Sequence, residues 1–169
     1  FIVDDSNLIY LNDFLISKLD KKISGFFGLS TCNRTEIYFY GDKGIEDDVL
    51  KLTKDALNIS DIPDKSFYIY DGLKAFEHMC RVCCGIDSQV VGEQEIFGQF
   101  KNAYNSAKAF RIVGKELMIY VEKVFEITKK VRTETKIGIN PLSVSGLSFN
   151  LVKEIFENPE NKQVLVIGG

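Results

Sequence analysis

A chain of 169 residues, 45% hydrophobic and 27% charged, has enough apolar content to bury one core and to begin a second, which excludes a disordered or low-complexity protein. Its formal net charge of -3 excludes broad, charge-driven attachment to polyphosphate, so any contact with RNA is local or lies outside this stretch. No apolar run approaches the ~20 residues of a membrane-spanning helix, and no basic segment leads into an apolar block, so a cytoplasmic protein without a membrane partner is expected. The first residue is Phe rather than Met, and we therefore expect the natural start, with any targeting segment, to lie upstream.

In chain order, Leu8, Leu11, Phe14, Leu15 and Leu19 recur at helical spacing and predict a helix over 7–19, with Ser6 as its cap. Aromatic-rich strands are expected at 25–29 and 36–40, joined by a polar turn over 30–35. A helix over 45–57 follows, then a third strand over 66–70 before Asp71 and Gly72. From Leu73 the pattern is helical. Leu73, Phe76, Cys80 and Cys83 form one apolar stripe, extended by Ala75, Met79 and Val82, with Lys74, Glu77 and Arg81 opposite. Further helices are expected over 96–110 and over 115–136, the second with Leu117, Val121, Val124, Thr128 and Val131 on one face and Gly138 as terminator. A last helix over 144–156 stops at Asn158-Pro159, because proline forces its predecessor out of helical geometry. The final Gln163-Val-Leu-Val-Ile-Gly-Gly reads as a buried parallel strand running into a glycine turn, the way a dinucleotide-binding fold begins.

Cys32 is the sharpest chemical feature. It sits among small polar residues with Arg34 two positions on, and a nearby guanidinium favours the thiolate that attacks carbonyls. The bland alternative is a cysteine filling space at a strand end. His78, the one histidine, lies at the border of polar and apolar arcs, where it either serves a cleft or satisfies backbone groups. Cys80, Cys83 and Cys84 read as small core hydrophobes, and no metal site is expected. Ser88, Glu93, Gln94, Glu95 and Gln99 either converge on a polar substrate or act as ordinary caps. Lys129, Lys130, Arg132 and Lys136 either face RNA or answer the dipole of the long helix.

The order of several motifs resembles the glutamyl-tRNA reductase family. S-T-C-N-R-T-E at 30–36 is similar to the family's nucleophile loop, and H-M-C-R-V-C-C-G-I-D-S at 78–88 to its H-x-x-R-V-A-S-G-L-D-S stretch. V-x-G-E-x-x-I-x-G-Q at 90–99, V-R-T-E-T-K-I-G at 131–138 and S-V-S at 143–145 continue the series. Three features depart from it: Glu93-Gln94-Glu95 stands where the family reads E-P-Q or E-D-Q, Cys83 and Cys84 replace Ala and Ser, and the family's first strand has no counterpart here. Loss of that strand is expected to loosen the pocket.

What the resemblance implies is specific. Cys32 would attack the ester carbonyl joining glutamate to tRNA, giving a thioester that NADPH reduces to glutamate-1-semialdehyde, the first step of five-carbon tetrapyrrole (porphyrin, haem) biosynthesis. His78 would assist catalysis. Thr31, Asn33, Arg34, Ser88, Glu93, Gln94, Glu95 and Gln99 would bind substrate, and Gly168 and Gly169 would touch the cofactor. The fold class expected is α+β: a small antiparallel ferredoxin-like sheet with packed helices, then the first strand of a truncated Rossmann-type domain. The division expected is a catalytic domain with its linking helix over 1–158 and the start of an NADPH-binding domain over 159–169. Such a chain alone is not expected to complete the reduction. The full-length protein is expected to be a homodimer that binds glutamyl-tRNA and channels product to the next enzyme. Two other classes compete: a noncatalytic tRNA-binding module, and a thiol-dependent acyl or aldehyde dehydrogenase.

Overall fold

The computed structural model describes residues 5–137, 144–156, 158–163 and 165. Helix α1 (Asp5–Leu19) passes through a short 3-10 turn into a hairpin of β1 (Ile23–Ser30) and β2 (Thr35–Gly41). The α-helices that follow are α2 (Glu46–Ala56), α3 (Gly72–Cys84), α4 (Glu95–Ala109), α5 (Lys115–Glu134) and α6 (Val144–Ile155). The class is α+β, mostly helical, and the sheet among the described residues has two antiparallel strands. None of the described helices is long and apolar enough to cross a membrane.

The spacing of its leucines makes α1 one-sided, and Leu8, Leu11, Leu15 and Leu19 are all buried. The described helix already includes Asp5, so Ser6 lies within it and not at the position ahead of it. In the hairpin Phe27 lies opposite Tyr38, Leu29 opposite Glu36 and Ser30 opposite Thr35, which leaves 31–34 as the turn. The strand period of two then puts Glu36 and Tyr38 on one face of β2 and Ile37 and Phe39 on the other. On the first face Phe27 stacks on Tyr38 at 4.9 Å and meets Phe100 of α4 edge-on at 5.2 Å. Tyr104 meets Phe125 at 5.6 Å, which carries the core on into α5. The predicted face of α5 is the observed one: Leu117, Val121, Val124 and Thr128 are buried, and Val131 is half-buried.

Two expectations are corrected. Of the stripe expected on α3, Met79, Val82 and Cys83 are buried, joined by Cys84, whereas Leu73 is 80% exposed and Phe76 and Cys80 are half-buried. The reason is positional: the later turns of α3 pack on α4 and α5, while its first turn runs out beside a cleft. Burial pushes the Cys80 thiol up to about 11 and raises those of Cys83 and Cys84, so these sulfurs stay protonated and pack as hydrophobes.

The second correction concerns the strand expected over 66–70. Asp64–Ser66 is a 3-10 turn, and 67–70 has no ladder partner among the described residues. It reaches β2 through a side chain, Tyr68, instead of through its backbone. Gly138 and most of the expected nucleotide-domain strand, including Gly168 and Gly169, lie outside the described residues.

Candidate active site

The turn that carries Cys32 is organised by its neighbour. Thr31 Oγ1 accepts from the backbone N–H groups of Asn33 and Arg34, both at 3.2 Å, and Thr31 N donates to Arg34 O at 2.8 Å. These bonds close the loop on itself and leave Cys32 and Asn33 exposed at its apex. The thiol is therefore reachable from solvent.

Beneath the loop lies a charged cluster that the sequence only partly announced. Glu36, buried on the inner face of β2, accepts Arg34 Nη1 at 3.1 Å and His78 Nε2 at 3.0 Å, together with the hydroxyls of Tyr38 and Tyr68. Burial alone would raise its carboxyl. The hydrogen bonds from His78, Tyr38 and Tyr68, with the charge of His78, outweigh that and hold it at about 2. Because an ionised carboxylate only accepts, His78 carries a proton on Nε2. Its Nδ1 faces Asp87 Oδ2 at 3.6 Å. Asp87 in turn takes both Nε and Nη2 of Arg81, the closest contact being 2.8 Å, and its carbonyl accepts from Arg34 Nη2. Two carboxylates, Glu36 and Asp87, thus face two guanidiniums, Arg34 and Arg81, with the His78 imidazole between the carboxylates.

Tyr38 and Tyr68 have their hydroxyl protons held on the molecule by burial and by the negative charge of Glu36. Tyr68 and Tyr70 pack against the imidazole at 5.5 and 5.0 Å and against each other at 5.3 Å. A cleft of about 1510 Å³ is lined by Thr31, Cys32, Asn33, Arg34, Tyr68 and His78, among others.

The other predicted residues fall elsewhere. Ser88, Glu93, Gln94, Glu95 and Gln99 occupy the α3–α4 connection and the first turns of α4, and they are not among the residues lining that cleft. Their link to it is Asp87. Arg132 does not face solvent: its Nη2 donates to Cys83 O at 3.1 Å and Glu93 O at 3.0 Å, and its guanidinium lies over the Phe97 ring. It clamps the end of α3 to the start of α4, whereas Lys129, Lys130 and Lys136 are exposed. Glu36, Tyr38, Tyr68 and Asp87 were not singled out from sequence. One signal was present: a glutamate at the same strand parity as Tyr38, on the apolar face of an aromatic strand, has to find partners.

Fold and site together define a small α+β domain that offers a cysteine at a loop apex beside a buried carboxylate, imidazole and guanidinium cluster. Residues 6–135 match the family model described as the N-terminal domain of glutamyl-tRNAGlu reductase. The chain belongs to the glutamyl-tRNA reductase family. It is 38% identical over 141 residues to the glutamyl-tRNA reductase of Saccharophagus degradans, covering 83% of this chain and 33% of that protein. The counterpart from Ectopseudomonas mendocina is 42% identical over 141 residues, with the same coverage. Among solved structures, glutamyl-tRNA reductase from Methanopyrus kandleri superimposes with a TM-score of 0.65 at 25% identity, covering 90% of this chain and 37% of that one. The chain spans about a third of the length of the curated relatives it matches.

Proposed function

We propose that this chain is the acyl-transfer part of an NADPH-dependent oxidoreductase that converts glutamyl-tRNA to glutamate-1-semialdehyde at the entry to tetrapyrrole biosynthesis. The observation that carries the reading is an exposed Cys32, on a turn fixed by Thr31, in the same cleft as Arg34 and His78. Family membership supplies the substrate class.

In this reading the Cys32 sulfur, as thiolate, attacks the carbonyl carbon of the glutamyl ester. A C–S bond forms, the C–O bond to the ribose breaks, and the departing ribose oxygen takes up one proton. Glu36 holds Nε2 of His78 at 3.0 Å, whereas Nδ1 has only the longer 3.6 Å approach of Asp87 Oδ2 and is the ring nitrogen proposed for proton exchange. Arg34 has N–H groups beyond the two committed to Glu36 and Asp87, and these suit the side-chain carboxylate of glutamate. Asn33, exposed beside the thiol, would contact the rest of the substrate within the cleft, and Ser88, Glu93 and Gln94 on the α3–α4 connection with Glu95 and Gln99 of α4 are proposed to contact the parts of it that extend beyond the cleft. NADPH, when bound, supplies the hydride that reduces the thioester, with Gly168 and Gly169 at the opening of its domain over 159–169. The longer protein is proposed to act in the cytoplasm as a homodimer that passes its product to the next enzyme.

The test is intact-mass and peptide mass spectrometry after incubation with glutamyl-tRNA. A glutamyl adduct on Cys32, absent in Cys32→Ser, is the expected result. An unmodified Cys32 together with undiminished tRNA affinity after alkylation would favour a noncatalytic RNA-binding module instead.

A further inference from the structure

Tyr68 and Tyr70 stand out because they are large, aromatic and half-exposed, at 54% and 46%, at the edge of the thiol's cleft. An apolar ring left in water beside a catalytic cluster has two explanations: it wedges the imidazole in place, or it is covered by a flat ligand. Tyr68 already has a structural task, since its hydroxyl bonds to Glu36. The Tyr70 ring is tilted by 50° to the imidazole and by 35° to Tyr68, stacked flat on neither, and the residue keeps 46% of its surface exposed.

We propose that Tyr70, supported by Tyr68, is a stacking platform for the base of the nucleotide that carries the acyl group. The inference rests on the functional reading above and adds a subsite to it. In an aminoacyl ester the reacting carbonyl hangs directly on the terminal ribose, so the first base cannot be far from the thiol. A contact path joins the two: Cys32 is two residues from Arg34, which pairs with Glu36, which holds Tyr68 and His78, against both of which Tyr70 packs. Charge points the same way. With a net charge of -3 the chain has little general attraction for phosphate, and stacking is the route to single-stranded RNA that needs no cation. The platform accounts for selection of an RNA-borne ester over a small ester bearing the same amino acid.

Two readouts test it. In the first, a fluorescent single-stranded RNA ending in CCA, carrying no amino acid, is titrated with this chain, Tyr70→Phe and Tyr70→Ala. The expected result is retention by Tyr70→Phe and a loss of about tenfold by Tyr70→Ala, with only weak dependence on salt. Equal affinities in all three would overturn the platform, whatever the fate of Cys32. The second readout is the ratio of Cys32 acylation rates from glutamyl-tRNA and from an activated ester of glutamate. A drop in that ratio for Tyr70→Ala supports the proposal. If Tyr70 only wedges His78, both rates fall together and the ratio stays at its original value, and the proposal is lost. Failure of Cys32 to acylate from either donor would count against the functional reading, while the RNA titration would still judge the platform.

Discussion

A carboxylate buried as deeply as Glu36 stays ionised only because donors converge on it from three sides: Arg34 from the loop, Tyr38 from its own strand, and Tyr68 with His78 from across the cleft. The sign of the linkage follows. Its folded-state value of about 2 lies below the ordinary 4.5, so the unfolded chain binds more protons across that interval. The stabilisation is complete above about 4.5 and is lost as pH falls toward about 2. Glu36→Gln removes the charge and leaves Arg34 unbalanced, and we expect a cost on the order of 3 kcal/mol at neutral pH. Urea melts of both proteins across that acid interval check the linkage: the difference between them should shrink on acidification, and a constant difference would refute the role given to the carboxylate. Cys32 is the opposite case. Exposed at a loop apex, it contributes little to the core, so Cys32→Ser should shift stability by no more than about 0.5 kcal/mol while abolishing the adduct. A large loss of stability in that variant would mean that the loop depends on the sulfur.

At the scale of elements, the site depends on two close backbone approaches. A Cβ on Gly25 would lie 2.1 Å from Gly114 N, and one on Gly114 would lie 2.0 Å from Ser24 O. The hairpin that carries Cys32 therefore rests directly on the chain entering α5. Gly114→Ala has to push β1 and α5 apart and should cost about 3 kcal/mol or more in chemical denaturation. Gly85 ends α3 in the left-handed region at φ 75°, and a Cβ there would meet Glu93 O at 2.8 Å. It governs the connection that delivers Asp87 to His78 and Arg34. Gly85→Ala should lose roughly 1–3 kcal/mol and slow acylation of Cys32 as well, because the Asp87 carbonyl can no longer hold Arg34. Unchanged acylation in a folded Gly85→Ala protein would show that Asp87 is dispensable.

For the whole molecule, the match to an N-terminal family domain and the third of the relatives' length that is covered lead to one prediction. Supplied with glutamyl-tRNA and NADPH, this chain should accumulate the Cys32 adduct or hydrolyse it to free glutamate, without forming semialdehyde. Detection of the aldehyde by chemical trapping would overturn the division at 158.

The sequence by itself determined what depends on neighbours along the chain. Leucine spacing set α1, the mostly valine stripe from Leu117 to Val131 set the inner face of α5, aromatic alternation set the hairpin, and the motif order that includes S-T-C-N-R-T-E pointed to Cys32 and to the family. Only the tertiary structure decided which groups meet. Glu36 is distant in sequence from Tyr68, His78 and Asp87, and no periodicity reports that this buried anion gathers Tyr68 and His78 while Asp87 closes on the imidazole from the other side. The same holds for the misread segments. Whether 67–70 becomes a strand depends on a neighbour to pair with, and how far along α3 its apolar stripe is buried depends on where α4 and α5 pack on it. Local pattern fixes the conformational preference of a segment, but burial and pairing are properties of what packs against it.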